Sequence, residues 1–182
     1  RVADGLNLAI SEVNESIVRL KNSFASFRDT STQVQDDMAG MSALLKRRLN
    51  IDITTTGQTM ENLVFVFGKA NKEAPLLASK LAMMGQKFGN ANNFIKQFND
   101  MTGALSKFGL PDMSKEFSRL YAIQEKTGTS MNSLVSSMET FSTFEGALNA
   151  ASKLNAAFGS TIDGMEIMDK MMTEGPAESL LL

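Results

Sequence analysis

Cysteine and histidine are both missing from this 182-residue chain. Without cysteine there are no disulfides, no thiolate nucleophile and no cysteine zinc site. Without histidine the chain lacks the commonest metal ligand and the usual general base near neutral pH. Tryptophan is absent and tyrosine occurs once, so the aromatic content is almost entirely its 12 phenylalanines. Stacking platforms for single-stranded nucleic acid are not expected from such a set. The formal charge of −2 offers no basic footprint for nucleic acid. No charge-free run approaches the ~20 apolar residues that span a bilayer. The longest uncharged window, 127–138, is rich in Ser, Thr and Asn. No secretory leader is legible, and the lack of an initiating Met suggests a fragment whose natural chain continues at both ends.

What is present is a long apolar repeat in the first quarter. Leu6, Ile10, Val13, Ile17, Leu20, Phe24, Phe27, Ser31, Val34, Met38, Met41 and Leu45 alternate steps of four and three. A mean period of about 3.5 keeps one narrow helical seam facing a partner through a left-handed supercoil. The spacing predicts a coiled-coil oligomerisation helix over 1–50, roughly 60 Å long at about 1.5 Å per residue. Those twelve residues are its expected oligomer interface. The flanking positions Ala9, Ser16, Ser23, Thr30, Asp37 and Leu44 are mostly small or polar. With two successive Phe layers, that favours a trimer or higher bundle over a dimer. The same stripe also fits an intramolecular helical hairpin packed on later helices. Ser31 is either a tolerated small residue bonded back to the preceding turn or a register-setting polar layer. Lys46, Arg47 and Arg48 complement the helix dipole at its C-terminus; three cations are too few for a nucleic-acid patch.

The fold class expected is all-α, with short Gly-punctuated helices following the long one. Ile51, Asp52, Ile53, Thr54, Thr55, Thr56 and Gly57 read as an extended linker or short strand over 51–57. A helical segment then fills 58–182. Pro75 suits a helix first turn, with Gly89 as its stop. Phe94, Ile95, Phe98, Met101 and Leu105 mark a helix over 91–107. Asp112 and Ser130 are N-cap candidates. A helix over 143–158 stops at Gly159, and Asp163 begins a Met-rich helix. Pro176 starts a last piece that runs out at Leu182. The motif Ala78-Ser79-Lys80-Leu81 recurs as Ala151-Ser152-Lys153-Leu154, each followed by Phe-Gly; helix-ending chemistry or a repeated hairpin accounts for it. Thirteen methionines fit core filling or a surface that repacks against partners.

No catalytic constellation emerges. The glycines lack the order of a phosphate-binding loop. Asp36 and Asp37, like Glu12 and Glu15, fall on the outer face of the expected coil, where solvated charge is the ordinary reading. Glu139 and Glu145 form a carboxylate pair without specific spacing. No enzyme activity, metal or cofactor is expected.

The stretch 144–159, FEGALNAASKLNAAFG, following a coil in a charge-balanced, Met- and Phe-rich chain, resembles bacteriophage tail tape measure proteins. The resemblance implies a virion component of the tail lumen or tail tip, assembling with copies of itself and with other tail tube or tip proteins. It further implies ejection during genome delivery, with membrane contact only during infection and no specific nucleic-acid site. Two other classes share the profile: a coiled-coil secretion-system or membrane-translocator protein, and a non-catalytic helical domain of a larger enzyme.

Overall fold

The computed structural model describes residues 8–109, 112–159, 161 and 163–173. Every regular element among them is helical, in accord with the all-α expectation: nine α-helices and one 3-10 turn. They fall into two compact units, Arg1–Ser106 and Lys107–Leu182.

The first unit holds α1 (Ile10–Ser23), a 3-10 turn (Ala25–Asp29), α2 (Thr32–Leu49), α3 (Ile53–Phe65), α4 (Ala74–Lys87) and α5 (Ala91–Ser106). Helix α3 is its hub, touching α1, α2, α4 and α5. It buries Ile53, Thr56, Gly57, Thr59, Met60 and Leu63, too wide a set for a one-sided amphipathic stripe. Its two buried threonines, Thr56 and Thr59, tolerate burial because each hydroxyl returns to a carbonyl one turn back. Thr56 donates to Asp52 O at 3.2 Å and Thr59 to Thr55 O at 2.9 Å. Gly57 marks the closest approach of α1, since a Cβ there would lie 2.7 Å from Leu20 Cδ2. Between α3 and α5 runs a polar ladder. Asn62 Nδ2 donates to Asn99 Oδ1 at 3.4 Å and Thr102 Oγ1 at 3.3 Å, and Asn99 Nδ2 donates to Thr55 O at 3.1 Å. Asn99 and Thr102 are buried, so these bonds offset the desolvation of their polar groups.

The second unit holds α6 (Met113–Thr127), α7 (Met131–Phe141), α8 (Phe144–Phe158) and α9 (Gly164–Thr173). Local capping sets each start. Asp112 Oδ1 accepts from Lys115 N–H at 3.1 Å, Ser130 Oγ from Ser133 N–H at 3.1 Å, and Thr143 Oγ1 from Gly146 N–H at 3.1 Å. Asp163 Oδ1 accepts from Met165 N–H at 2.9 Å at the start of α9. Helices α6 and α8 end at Gly128 and Gly159, both left-handed. Helix α9 packs along α8 and also meets α7.

Two expectations are corrected. The single long helix over 1–50 is instead α1 and α2, separated by the 3-10 turn. Phe24 is extended, at φ −128° and ψ 108°, and Phe24 and Phe27 are both buried, with ring centroids 6.4 Å apart. A straight helix would place them almost on one line along its surface; the turn lets both enter the core. Glu61 of α3 holds the break open, its Oε1 accepting Ala25 N–H at 3.1 Å. Ser31 belongs to no coiled-coil layer: it is the N-cap of α2, accepting Val34 N–H at 3.4 Å.

The stretch 51–57 is no extended linker or strand. Ile51 is fully buried and Asp52 caps α3, its Oδ1 accepting from Thr54 N–H at 2.8 Å and from the Thr54 hydroxyl. Here a cap overrides the β-branched run Ile53-Thr54-Thr55-Thr56, whose helix propensity is only mildly unfavourable. Compactness divides the chain after Ser106. The expected piece from Pro176 onward lies outside the described residues.

Candidate interaction surfaces

The apolar seam read from the sequence is largely consumed inside the first unit. Val13, Leu20, Phe24, Phe27, Met38 and Leu45 are buried, while Ile17, Val34 and Met41 are half-buried. Ser31 is exposed at its cap, and Ile10 is 70% exposed. Leu6 lies outside the described residues. The stripe's inward residues belong to a unit in which α1 and α2 pack on each other and on α3. Leu45, Ile51, Thr56, Thr59, Ala78 and Ile95 enclose a crevice too tight for a water molecule.

Four of the carboxylates singled out from sequence, Glu12, Glu15, Asp37 and Glu139, have ordinary partners. Glu12 Oε2 accepts Ala9 N–H at 2.7 Å and lies 3.8 Å from Arg47 of α2. Glu15 accepts from Arg19 Nε at 2.9 Å, and Asp37 from Gln33 Nε2 at 3.0 Å. Glu139 receives Lys107 Nζ at 2.9 Å, while Glu145 is exposed in the first turn of α8. Lys46, Arg47 and Arg48 occupy the last turn of α2, with Lys46 Nζ donating to Asn50 Oδ1 at 3.2 Å. Among the described residues, no three His, Cys, Asp or Glu side chains group as a metal site. No described helix is long and apolar enough to cross a membrane.

Ile10, Val18, Phe65 and Val66 are exposed on α1 and at the end of α3, and two further groups of outward side chains combine apolar and charged residues. The first is on α4, where Leu76, Lys80, Met83 and Lys87 recur at steps of four, three and four. All are exposed and lie opposite the buried set Ala78, Leu81, Ala82 and Gly85. Leu76 and Met83 are 58% and 59% exposed. The helix carries no acidic residue. Its outer face is therefore apolar and cationic.

The second group lies on the α8–α9 hairpin. Phe144 and Leu148 stand one turn apart on α8, and Phe144 is 55% exposed. Leu148 rests against Gly164 of α9: a Cβ at Gly164 would sit 2.9 Å from both Leu148 Cα and Cδ2. That contact places α8 beside the residue before Met165, which is 53% exposed. Glu145, Glu166 and Asp169 are exposed on the same two helices. Lys153, also exposed on α8, and Lys170, 3.7 Å from Glu166, offset part of this charge. The hairpin face is apolar and, on balance, acidic.

The methionines divide between core and surface. Met38, Met60, Met113, Met131 and Met138 fill cores, whereas Met83 and Met165 face solvent. The repeated Ala-Ser-Lys-Leu motifs also occupy matching places. Ala78 and Ala151 are buried in α4 and α8, which lead through left-handed Gly89 and Gly159 into the helices packed on them. No family model, curated protein or solved structure matches the chain.

Proposed function

We propose that this chain is a non-catalytic structural component of a phage tail, related in kind to tape measure proteins. The observation that carries the reading is the pair of solvent-facing apolar groups, Leu76 with Met83 and Phe144 with Leu148 and Met165, on two helical units that each bury a core of their own. Large apolar side chains left on the outside of such cores favour contact with other protein. The tail-like stretch 144–159 coincides with α8 and its glycine stop, so the resemblance falls on one of those outward faces.

In this reading the chain resides in the virion, in the tail lumen or at the tip. It assembles with copies of itself, as a trimer or higher, and with tail tube or tip proteins, and leaves with the genome. Burial of Leu20, Phe24, Phe27 and Met38 moves the contact surface from the inward seam to the exposed faces of α4 and of α8–α9. The long coiled coil, if the chain forms one, requires the first unit to open and release those side chains.

The test is localisation. Gold-labelled antibodies raised against the chain, applied to lysates of the producing cells, are expected to mark tail tubes or tips in negative stain. Intact tails that carry no label, beside label on membranes or on free enzyme, would overturn the assignment.

A further inference from the structure

We infer that the α4 face of one copy docks on the α8–α9 face of a second copy, giving a directional head-to-tail contact. This rests on the assembly role proposed above and names the surfaces that perform it.

The argument is complementarity. The α4 face offers Leu76 and Met83 flanked by the cations Lys80 and Lys87. The hairpin face offers Phe144, Leu148 and Met165 flanked by Glu145, Glu166 and Asp169. Each has an apolar centre and a charged border of opposite sign, which aligns partners and suppresses wrong pairings. Symmetric self-pairing is disfavoured for both faces. Two copies of α4 would set lysines against lysines, and two hairpins would set carboxylates against carboxylates. A second copy is the occupant of choice because one chain carries both halves. A contact between two different faces leaves one of each unused at the ends, so it propagates unless the rotation closes a ring. Propagation suits an elongated assembly.

Charge exchange tests this directly with the full 182-residue chain. Sedimentation velocity at low ionic strength is expected to show concentration-dependent association of the wild type, weakened at least tenfold by 0.5 M salt, where the Debye length falls below about 5 Å. The variant K80E/K87E makes both faces acidic, and E145K/D169K makes both basic. Each alone is expected to lose association at least tenfold, with helical circular dichroism unchanged. Mixed in equal amounts they are expected to recover it, because each now supplies what the other lacks. The milder K80Q/K87Q gives a smaller loss in the same direction and serves if a reversal impairs folding. Association that persists in both double variants, or a mixture that stays monomeric, overturns the pairing. A wild type monomeric at millimolar concentration overturns it too and leaves the faces to other partners. Neither result bears on whether antibodies label tails, so the two proposals fail separately.

Discussion

Replacing Asp52 with alanine removes the acceptor that starts α3, and a lost N-cap typically costs about 1 kcal/mol. The cost should depend on pH. The Thr54 hydroxyl bond, foremost, holds the Asp52 carboxyl below its ordinary value of 3.8, helped by the Thr54 amide and by the charges of Arg19 and Lys46, against the opposing effect of burial. A depressed native pKa means the contribution is complete above the unfolded value and is lost as pH falls through the native one. Urea midpoints of wild type and Asp52→Ala should therefore differ by a constant amount from pH 7 down to about pH 5 and converge in stronger acid. Asp52→Asn keeps the acceptor without the charge, so it should retain most of the stability and lose this pH dependence. A difference that stays constant to pH 2 would show that ionisation of the Asp52 carboxyl contributes nothing to the cap. Asn50 shows the same local logic: it closes α2 in the left-handed region at φ 52°, where a side-chain amide is tolerated better than a β-branched residue.

At the scale of elements, the break between α1 and α2 depends on two buried rings and one distant carboxylate. Phe27→Ala is expected to cost about 3–5 kcal/mol, a large share of a small unit's stability, and to lower the urea midpoint of the first unit. Glu61→Ala should cost about 1 kcal/mol through the lost bond to Ala25 N–H, with Glu61→Gln recovering much of it. If Phe27→Ala left the midpoint unchanged, the rings would not be what fixes the turn.

These residues also show where sequence is legible. Asp112, Ser130, Thr143, Gly128 and Gly159 announce helix ends because capping involves neighbours within a turn. The break at Phe24 does not announce itself, since its anchor Glu61 is thirty-six positions from Ala25. The apolar period continues undisturbed across it, because side chains turned inward by a bend keep the same spacing as those of a straight seam. Ser31 was the one local sign, a cap standing where a coil wants an apolar residue. The two outward faces were hidden for another reason. Leu76, Met83, Phe144 and Met165 look like core residues until the buried side of each helix is known.

For the whole molecule, two compact units predict two separable unfolding transitions. Gly57→Leu should lower only the first unit's transition, because its side chain would collide with Leu20, and leave the α6–α9 transition in place. Urea titration followed by circular dichroism and by limited proteolysis near residue 106 checks this. A single transition shifted as one by Gly57→Leu would show the units to be one cooperative body.

The amides between α3 and α5 carry a last consequence, for uniqueness instead of strength. Apolar cores accept many near-equivalent fillings, and methionine-rich ones accept more than most. Asn62 and Asn99 remove that degeneracy, since sliding either helix by one turn strands the buried Asn99 amide without its partners on α3. Asn99→Leu paired with Asn62→Leu is thus expected to leave the midpoint nearly unchanged, yet broaden the amide resonances of both helices. The ladder works as a key: it selects which of several equally oily alignments is native, and a subunit built on it presents the same outer face in every copy.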